Sequence, residues 1–282
     1  MHSALTCGVC RACARGDDTL CEALAVMGYG LYGEPGRERY RRYKNGALAQ
    51  YMLVPASNVS VIPEPVSYDS AAKAGTIAGS LSMLHAAQVH EGDRVAILAA
   101  TGASGAATVM CSPLLGVDSV IGVGRERRSL HRIAELTGCE LRSVATSELD
   151  ADWTETGGLT AALRALTGDA GLDAVVDFMP LGLAETAQAI EALRPGGTAV
   201  LAGGNQVTLP LGYGRLMRNQ LHIRGARGTP RSAETEVLGR MAAGDMDAAR
   251  LITHTYPLTA VNDAVRTVYN RQDSPLFVVI HP

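Results

Sequence analysis

The stretch from Asp93 to Arg128, DRVAILAATGASGAATVMCSPLLGVDSVIGVGRERR, constrains this chain more than any other. Arg94 to Ala99 is a short apolar run of strand type. A turn of small residues follows, Ala100-Thr101-Gly102-Ala103-Ser104-Gly105, and then a helical run. Val120 to Val123 is a second apolar strand that ends at Gly124-Arg125. A strand, glycine turn, helix and strand in that order form the unit that binds a dinucleotide in doubly wound parallel sheets. Small residues are needed there because the backbone must approach a pyrophosphate and the helix must lie close to the sheet. The helix N-terminus then offers free N–H groups and a partial positive charge. Ala100 stands where the first glycine of a GxGxxG pattern would be, while Gly102 and Gly105 are kept. A degenerate pattern alone also fits an ordinary strand-to-helix turn; its place between two strands at this spacing favours the dinucleotide.

The end of the second strand indicates which dinucleotide. A site for NAD usually has Asp or Glu about 20 residues beyond the glycine turn, accepting from ribose hydroxyls. This chain has Gly124 and Arg125 there, with Arg127 and Arg128 close behind. Guanidinium groups suit a 2′-phosphate, so NADP(H) is favoured over NAD(H). The alternative is a solvated helix start, although basic residues at a helix N-terminus oppose the helix dipole.

Composition sets the bounds. The 282 residues suffice for two domains, and the 47% hydrophobic and 19% charged content with 31 glycines is that of an α/β protein rich in small residues. A formal charge of −3 gives no general attraction to nucleic acid or to an anionic membrane. No apolar run reaches the length of a membrane span and Met1-His2-Ser3 opens no secretory signal, so a cytoplasmic location is expected.

Four of the six cysteines fall within the first 21 residues. Cys7, Cys10, Cys13 and Cys21 have the spacing C-x2-C-x2-C-x7-C. Four thiolates on a tight loop close a tetrahedral shell around zinc and leave no open position for chemistry, which makes such a site structural. Cys111 and Cys139 lie in or beside helical patterns and read as inert thiols.

The cysteine lobe CGVCRACARGDDTLC, the segment NGALAQYMLVPASNVSVIPEPVSYDSAA, the glycine turn, ALRPGGTAVLAGG, LHIRGARGT and LITHTYPLTAVNDAVRTV occur in one order. In that order the chain resembles the zinc-containing medium-chain dehydrogenase/reductase superfamily of the alcohol dehydrogenase type, over nearly its whole length. The resemblance implies an α/β fold: a Rossmann-type doubly wound parallel sheet plus a partial GroES-like β-barrel domain carrying the zinc lobe. It divides the chain into residues 1–76, 77–225 and 226–282, the last returning to the first. It implies hydride transfer between a nicotinamide and a small alcohol or carbonyl substrate, in a homodimer or homotetramer. Phe178, Met179, Gly203 and Gly204 correspond to loops near the nicotinamide, and Thr208 to Leu211 to the edge strand through which members pair.

Between lobe and sheet, Ala47 to Pro55 and Asn58 to Ile62 read as short strands, and Ser70 to Gln88 as a helix. The run RERYRRYK is either a face for an acidic substrate or partner, or a solvated loop. Beyond the second sheet strand, Arg128–Leu136, Leu159–Leu166 and Ala184–Leu193 read as helices, Leu172–Phe178 and Thr198–Leu201 as strands, and Pro113 as a kink late in the first crossover helix.

In the family, a segment preceding the lobe carries the catalytic zinc's first cysteine and a glycine–histidine–glutamate motif, and nothing before Cys7 corresponds to it. The third ligand falls within Gly75-Thr76-Ile77-Ala78-Gly79, where Thr76 or Ile77 stands. The seven histidines show no ligand-pair spacing. The chain therefore reads as part of a longer dehydrogenase, as a zinc-independent enone or quinone reductase, or as an NADP(H)-binding protein without turnover. Thr76 and Ser80 are the pocket hydroxyls suggested by position.

Overall fold

The computed structural model describes all 282 residues. The chain forms two compact units, Met1–Gly79 with Arg227–Pro282, and Ser80–Ala226. No helix is long and apolar enough to cross a membrane.

The second unit is built on a six-stranded parallel sheet. Its strands are β1 (Arg94–Leu98), β2 (Ser119–Gly124), β3 (Leu141–Ala145), β4 (Leu172–Asp177), β5 (Leu193–Leu201) and β6 (His222–Gly225), in the order β3-β2-β1-β4-β5-β6. The chain order reverses between β1 and β4, where doubly wound sheets open a crevice for ligands at the carboxyl ends of the strands. Val95, Ala96, Ile97 and Leu98 of β1 are fully buried, as are Val175 and Val176 of β4, because helices cover both faces. The helices are α1 (Ala103–Cys111), α2 (Arg127–Thr137), α3 (Gly158–Leu166), α4 (Ala184–Glu191) and α5 (Tyr213–Asn219). Leu159 and Leu163 of α3 and Ala189 and Ile190 of α4 fill one core with Leu98, Ile121 and Val175. Gln188 of α4 locks the start of α3, accepting from the Leu159 N–H at 2.9 Å and donating to the Trp153 carbonyl at 2.9 Å.

The amino ends of the strands are held by charge. Asp173 of β4 is buried and accepts from the Arg94 backbone N–H at 2.8 Å, from Arg94 Nε at 3.0 Å and from Arg194 Nε. Burial works against its charge, but the two guanidiniums and the Arg94 N–H outweigh it and hold the carboxyl below its ordinary value.

The first unit has less regular structure. Three two-residue strands, Ala4–Leu5, Ala25–Val26 and Gly30–Leu31, make a small antiparallel sheet, and Ile252–Pro257 pairs in parallel with Phe277–His281. The strands expected at Ala47–Pro55 and Asn58–Ile62 do not form. Backbone groups in a strand need a neighbour to bond with. Here Tyr51 and Leu53 are 92% and 64% exposed, and the anchoring is instead made by buried Asn58, which donates to the His2 and Ala4 carbonyls at 2.7 Å. The expected helix Ser70–Gln88 is two helices, Tyr68–Ala72, capped by Ser67, and Ala74–Ala86, which runs past the boundary between the units. Thr208–Leu211 is likewise not a strand in the single chain; Pro210 within it has no N–H for a ladder, and the sheet ends on β6.

The ion cluster gives a stability prediction. Asp173→Ala leaves two guanidiniums facing a partly buried void and lowers unfolding free energy by about 3 kcal/mol. In the wild type, the lowered carboxyl contributes stability that is present above its ordinary 3.8 and lost as pH falls through the folded value. Urea unfolding of both proteins at pH 7 and pH 3 checks this: the gap between them narrows in acid.

Candidate cofactor and metal sites

The glycine turn is shaped by one close approach. Ala99 takes a left-handed conformation with φ +54°, an unusual state for alanine. It turns the chain sharply off β1, so that the buried Ala100 tucks under the helix and Gly102 caps α1 in an extended conformation. A Cβ on Gly105 would lie 2.3 Å from the Ala99 carbonyl oxygen and 2.7 Å from the Ala100 Cα, so only glycine lets α1 cross here. Gly102 contributes no side chain to cap α1. The N–H groups of Ala103, Ser104 and Gly105 lack intrahelical acceptors and point out from the first turn with the positive end of the helix dipole. Free N–H groups and dipole together are the arrangement that suits an anion. Thr101 sits between this turn and β2, with its methyl 3.1 Å from the place a Cβ on Gly124 would occupy.

Pro113 ends α1 as the sequence suggests. The helix passes at Cys111 into a 3-10 turn, Ser112–Leu115, and reverses at Gly116 with φ +69°. The first turn is unaffected.

After β2, the three arginines separate by role. Arg127 forms a bidentate pair with Glu148, and Arg128 bonds Glu126 at 2.7 Å. Arg125 is exposed, and its guanidinium has no partner within the chain. Only its carbonyl is engaged, accepting from the Ser147 N–H at 3.0 Å. The acidic residue nearest the strand end, Glu126, is turned onto Arg128.

The loops after β4 and β5 form a second wall. A Cβ on Gly203 would lie 2.2 Å from the Met179 carbonyl oxygen, so the two backbones touch, and Gly204 turns with φ +70°. Asn205 donates to the Gly182 carbonyl at 2.6 Å. Phe178 and Met179 are half-buried at the base of this wall. Sequence reasoning missed the residue beneath them, Asp177. Its signal is an acidic residue closing an otherwise apolar strand run, LDAVVD.

Ser80 does not serve as a pocket hydroxyl. It is buried and donates to the Ser104 carbonyl at 3.0 Å, the same oxygen that accepts from Thr108 Oγ1 at 2.9 Å. Thr76, in contrast, is exposed.

In the first unit the cysteine sulfurs converge. One sulfur from each of Cys7, Cys10, Cys13 and Cys21 lies within 4.8 Å of the others. The Cys7–Cys21 and Cys7–Cys13 sulfur pairs are 3.6 and 4.0 Å apart. A tetrahedron with zinc–sulfur bonds of about 2.3 Å has edges of about 3.8 Å, so the spacing fits that ion. Backbone N–H groups already serve the sulfurs: Cys10 N–H donates to Cys7 and Cys7 N–H to Cys21. Backbone donors at Cys13 and Glu22 lower the Cys10 thiol to about 6, while burial pushes Cys13 up to about 12. The four cannot all ionise without a cation to share. No second cluster of His, Cys, Asp or Glu donors gathers in the chain. At the position expected for a third catalytic ligand, Thr76 and Ile77 provide none. The histidines are dispersed, His2 on Glu234, His131 on Glu135 and His281 on Asp69.

The basic patch RERYRRYK is largely absorbed into local structure. Arg37–Arg42 is a short helix, Arg37 pairs with Glu34, Arg39 donates to the Thr6 carbonyl, and Tyr40 and Tyr43 cover Leu5, Ala25 and Met27.

Comparison with known proteins agrees with this geometry. Residues 103–243 match the family model for zinc-binding dehydrogenases, and residues 1–64 the alcohol dehydrogenase GroES-like domain. Sorbitol dehydrogenase of Bacillus subtilis (strain 168) is 24% identical over 284 residues, spanning 99% of this chain and 72% of that protein. An alcohol dehydrogenase from Thermus sp. ATN1 superposes with a TM-score of 0.84 at 24% identity, over 100% of this chain and 76% of its own. An NAD-dependent alcohol dehydrogenase superposes at 0.76 with 25% identity, over 100% and 75% of the two chains.

The turn's close approach is open to test. Gly105→Ala forces its methyl into the Ala99 carbonyl and costs about 2 kcal/mol of stability. Gly102→Ala, whose Cβ would stand 3.4 Å from the same oxygen, costs about 0.5 kcal/mol as a poorer cap. Denaturant unfolding of the two variants checks the order.

Proposed function

The chain belongs to the zinc-binding dehydrogenase family, and from that membership we propose reversible hydride transfer between NADP(H) and an alcohol or carbonyl substrate, with a structural zinc in the cysteine lobe. The observation that carries the proposal is the uncapped first turn of α1 at the switch point of the sheet. Ala100 to Gly105 would receive the pyrophosphate there, with Thr101 and Gly124 flanking the adenosine side. When bound, the nicotinamide donates or accepts the hydride. The protein's share is to hold the ring and exclude alternatives: Phe178, Met179, Gly203 and Gly204 form the wall available to it. Of the two hydroxyls suggested by position, only Thr76 keeps its proton uncommitted. The four cysteines would hold zinc in a closed shell, fixing a loop that has little other core. Assembly into a homodimer or homotetramer follows from the resemblance.

The preference for NADP(H) rests on Arg125, the one arginine of its group left without a carboxylate. The solved relative at 25% identity is NAD-dependent, so this residue is the discriminator. Arg125→Asp weakens NADPH binding about tenfold or more, the loss of a charge-assisted phosphate contact, while NADH changes less than about twofold. Calorimetric titration with both nucleotides measures it; equal weakening removes the preference. Cys10→Ser lowers metal content and thermal midpoint together, read by elemental analysis and calorimetry. A wild type that is stable with no zinc contradicts the lobe's assignment.

A second reading, reduction of an enone or quinone, is favoured by Thr76 and Ile77 standing where the resemblance expects a zinc ligand. Steady-state assay with alcohols, aldehydes, enones and quinones separates the two: turnover confined to the last two classes selects the second.

A further inference from the structure

Asp177 is the last residue of β4 and pairs in register with Leu201 of β5 on one side and Leu98 of β1 on the other. It therefore stands at the switch point of the sheet, one strand over from the glycine turn. It is 4% exposed, and its carboxylate is fully employed: Oδ1 accepts from the Met179 N–H at 2.7 Å and Oδ2 from the Thr186 hydroxyl at 2.6 Å. Thr186 lies in the first turn of α4 and is itself buried. The carboxylate thus ties the chain leaving β4 to the helix that follows. Burial favours the neutral form of Asp177, and the two donors only partly offset that. A buried acid with no cationic partner costs stability relative to an apolar residue. The chain keeps one at the point where its loops must be fixed.

The fixed peptide is the one that matters for the second wall. Met179 N–H is held by Asp177, and the Met179 carbonyl faces Gly203 so closely that no side chain fits there. Displacing Met179 therefore displaces the loop after β5, to which Asn205 also ties Gly182. The glycine turn and Arg125 share none of these bonds.

We propose that Asp177 is a positioning residue of the cofactor site, holding the Met179 peptide and, through it, the loops 178–182 and 202–205 in the conformation that receives the nicotinamide ring. The proposal rests on the dinucleotide reading above. It assigns Asp177 no contact with the cofactor and no role in moving a proton.

The test separates the two halves of the ligand. Full-length wild type, Asp177→Asn and Thr186→Val are titrated with NADPH and with 2′-phospho-ADP-ribose, which lacks the nicotinamide ring. Asp177→Asn keeps the shape and, on its oxygen, the bond from the Met179 N–H, but that bond no longer ends on a charged group, and the NH2 must turn to the Thr186 hydroxyl as its acceptor. It weakens NADPH about tenfold, the effect of losing one charge-assisted hydrogen bond, and changes the ring-less probe less than about twofold. Thr186→Val keeps the charge, frees one oxygen and gives the same selective loss at about threefold, so it carries the test if the asparagine variant does not fold. Equal weakening of both ligands in the folded variants means a general structural role and overturns the proposal, as does no weakening of either. A wild type that binds neither ligand overturns the dinucleotide reading itself and the proposal with it.

Discussion

The second unit depends on how closely one helix can lie on one strand. At Gly105 the helix α1 passes the Ala99 carbonyl at a distance that excludes even a methyl group. That contact fixes where the helix begins, and so where its unbonded N–H groups point. It also sets the left-handed turn at Ala99 and the burial of Ala100 beneath the helix. The rest of the sheet presents its carboxyl ends around this point: β2 brings Arg125 from one side and β4 brings Asp177 from the other. Charge is divided accordingly. The Asp173 cluster closes the amino ends of the strands, while the carboxyl ends carry an unpaired guanidinium and a helix dipole, both suited to an anion.

The first unit is organised by different means. Around the cysteine loop the strands are two residues long and the apolar clusters small, so the loop is held by its own sulfurs, the N–H groups that serve them and a few residues such as Ala23 and Leu24. A small lobe of this kind would gain folding energy directly from a metal, because the ion offsets the repulsion among ionised thiols already held close. The thiol shifts run in opposed directions for different reasons, Cys10 down because backbone donors serve it and Cys13 up because it is buried.

Much of the second unit was legible in the sequence because its signals are local. The run RVAIL, the glycine turn and SVIGVG each carry their conformation in a few residues, and LDAVVD reads as a buried strand by the same rule. β3, LRSVA, was not legible, since its alternation is weak and the charged Arg142 interrupts its apolar run. The roles of Ser80 and Asp177 were also hidden. Whether a serine faces a pocket or a helix carbonyl, and whether an acid at a strand end meets solvent or a threonine, depends on packing that no spacing encodes. In the first unit, YMLVP and VSVIP have strand composition, yet strand propensity expresses packing against neighbours more than a backbone preference. Without such neighbours these residues are coil. The cysteine spacing, in contrast, was informative by itself: four thiols crowded between Cys7 and Cys21 point to a shared metal.

Hydrogen exchange measured with and without NADPH reads the backbone amides of the α1 turn themselves, the groups proposed to hold the pyrophosphate. A nucleotide seated at the α1 turn slows exchange at residues 101–106, with weaker protection at 178–182 and 203–205, and none at the amino ends of the strands. Unchanged exchange across the α1 turn at saturating nucleotide, or protection confined to the cysteine lobe, would contradict it.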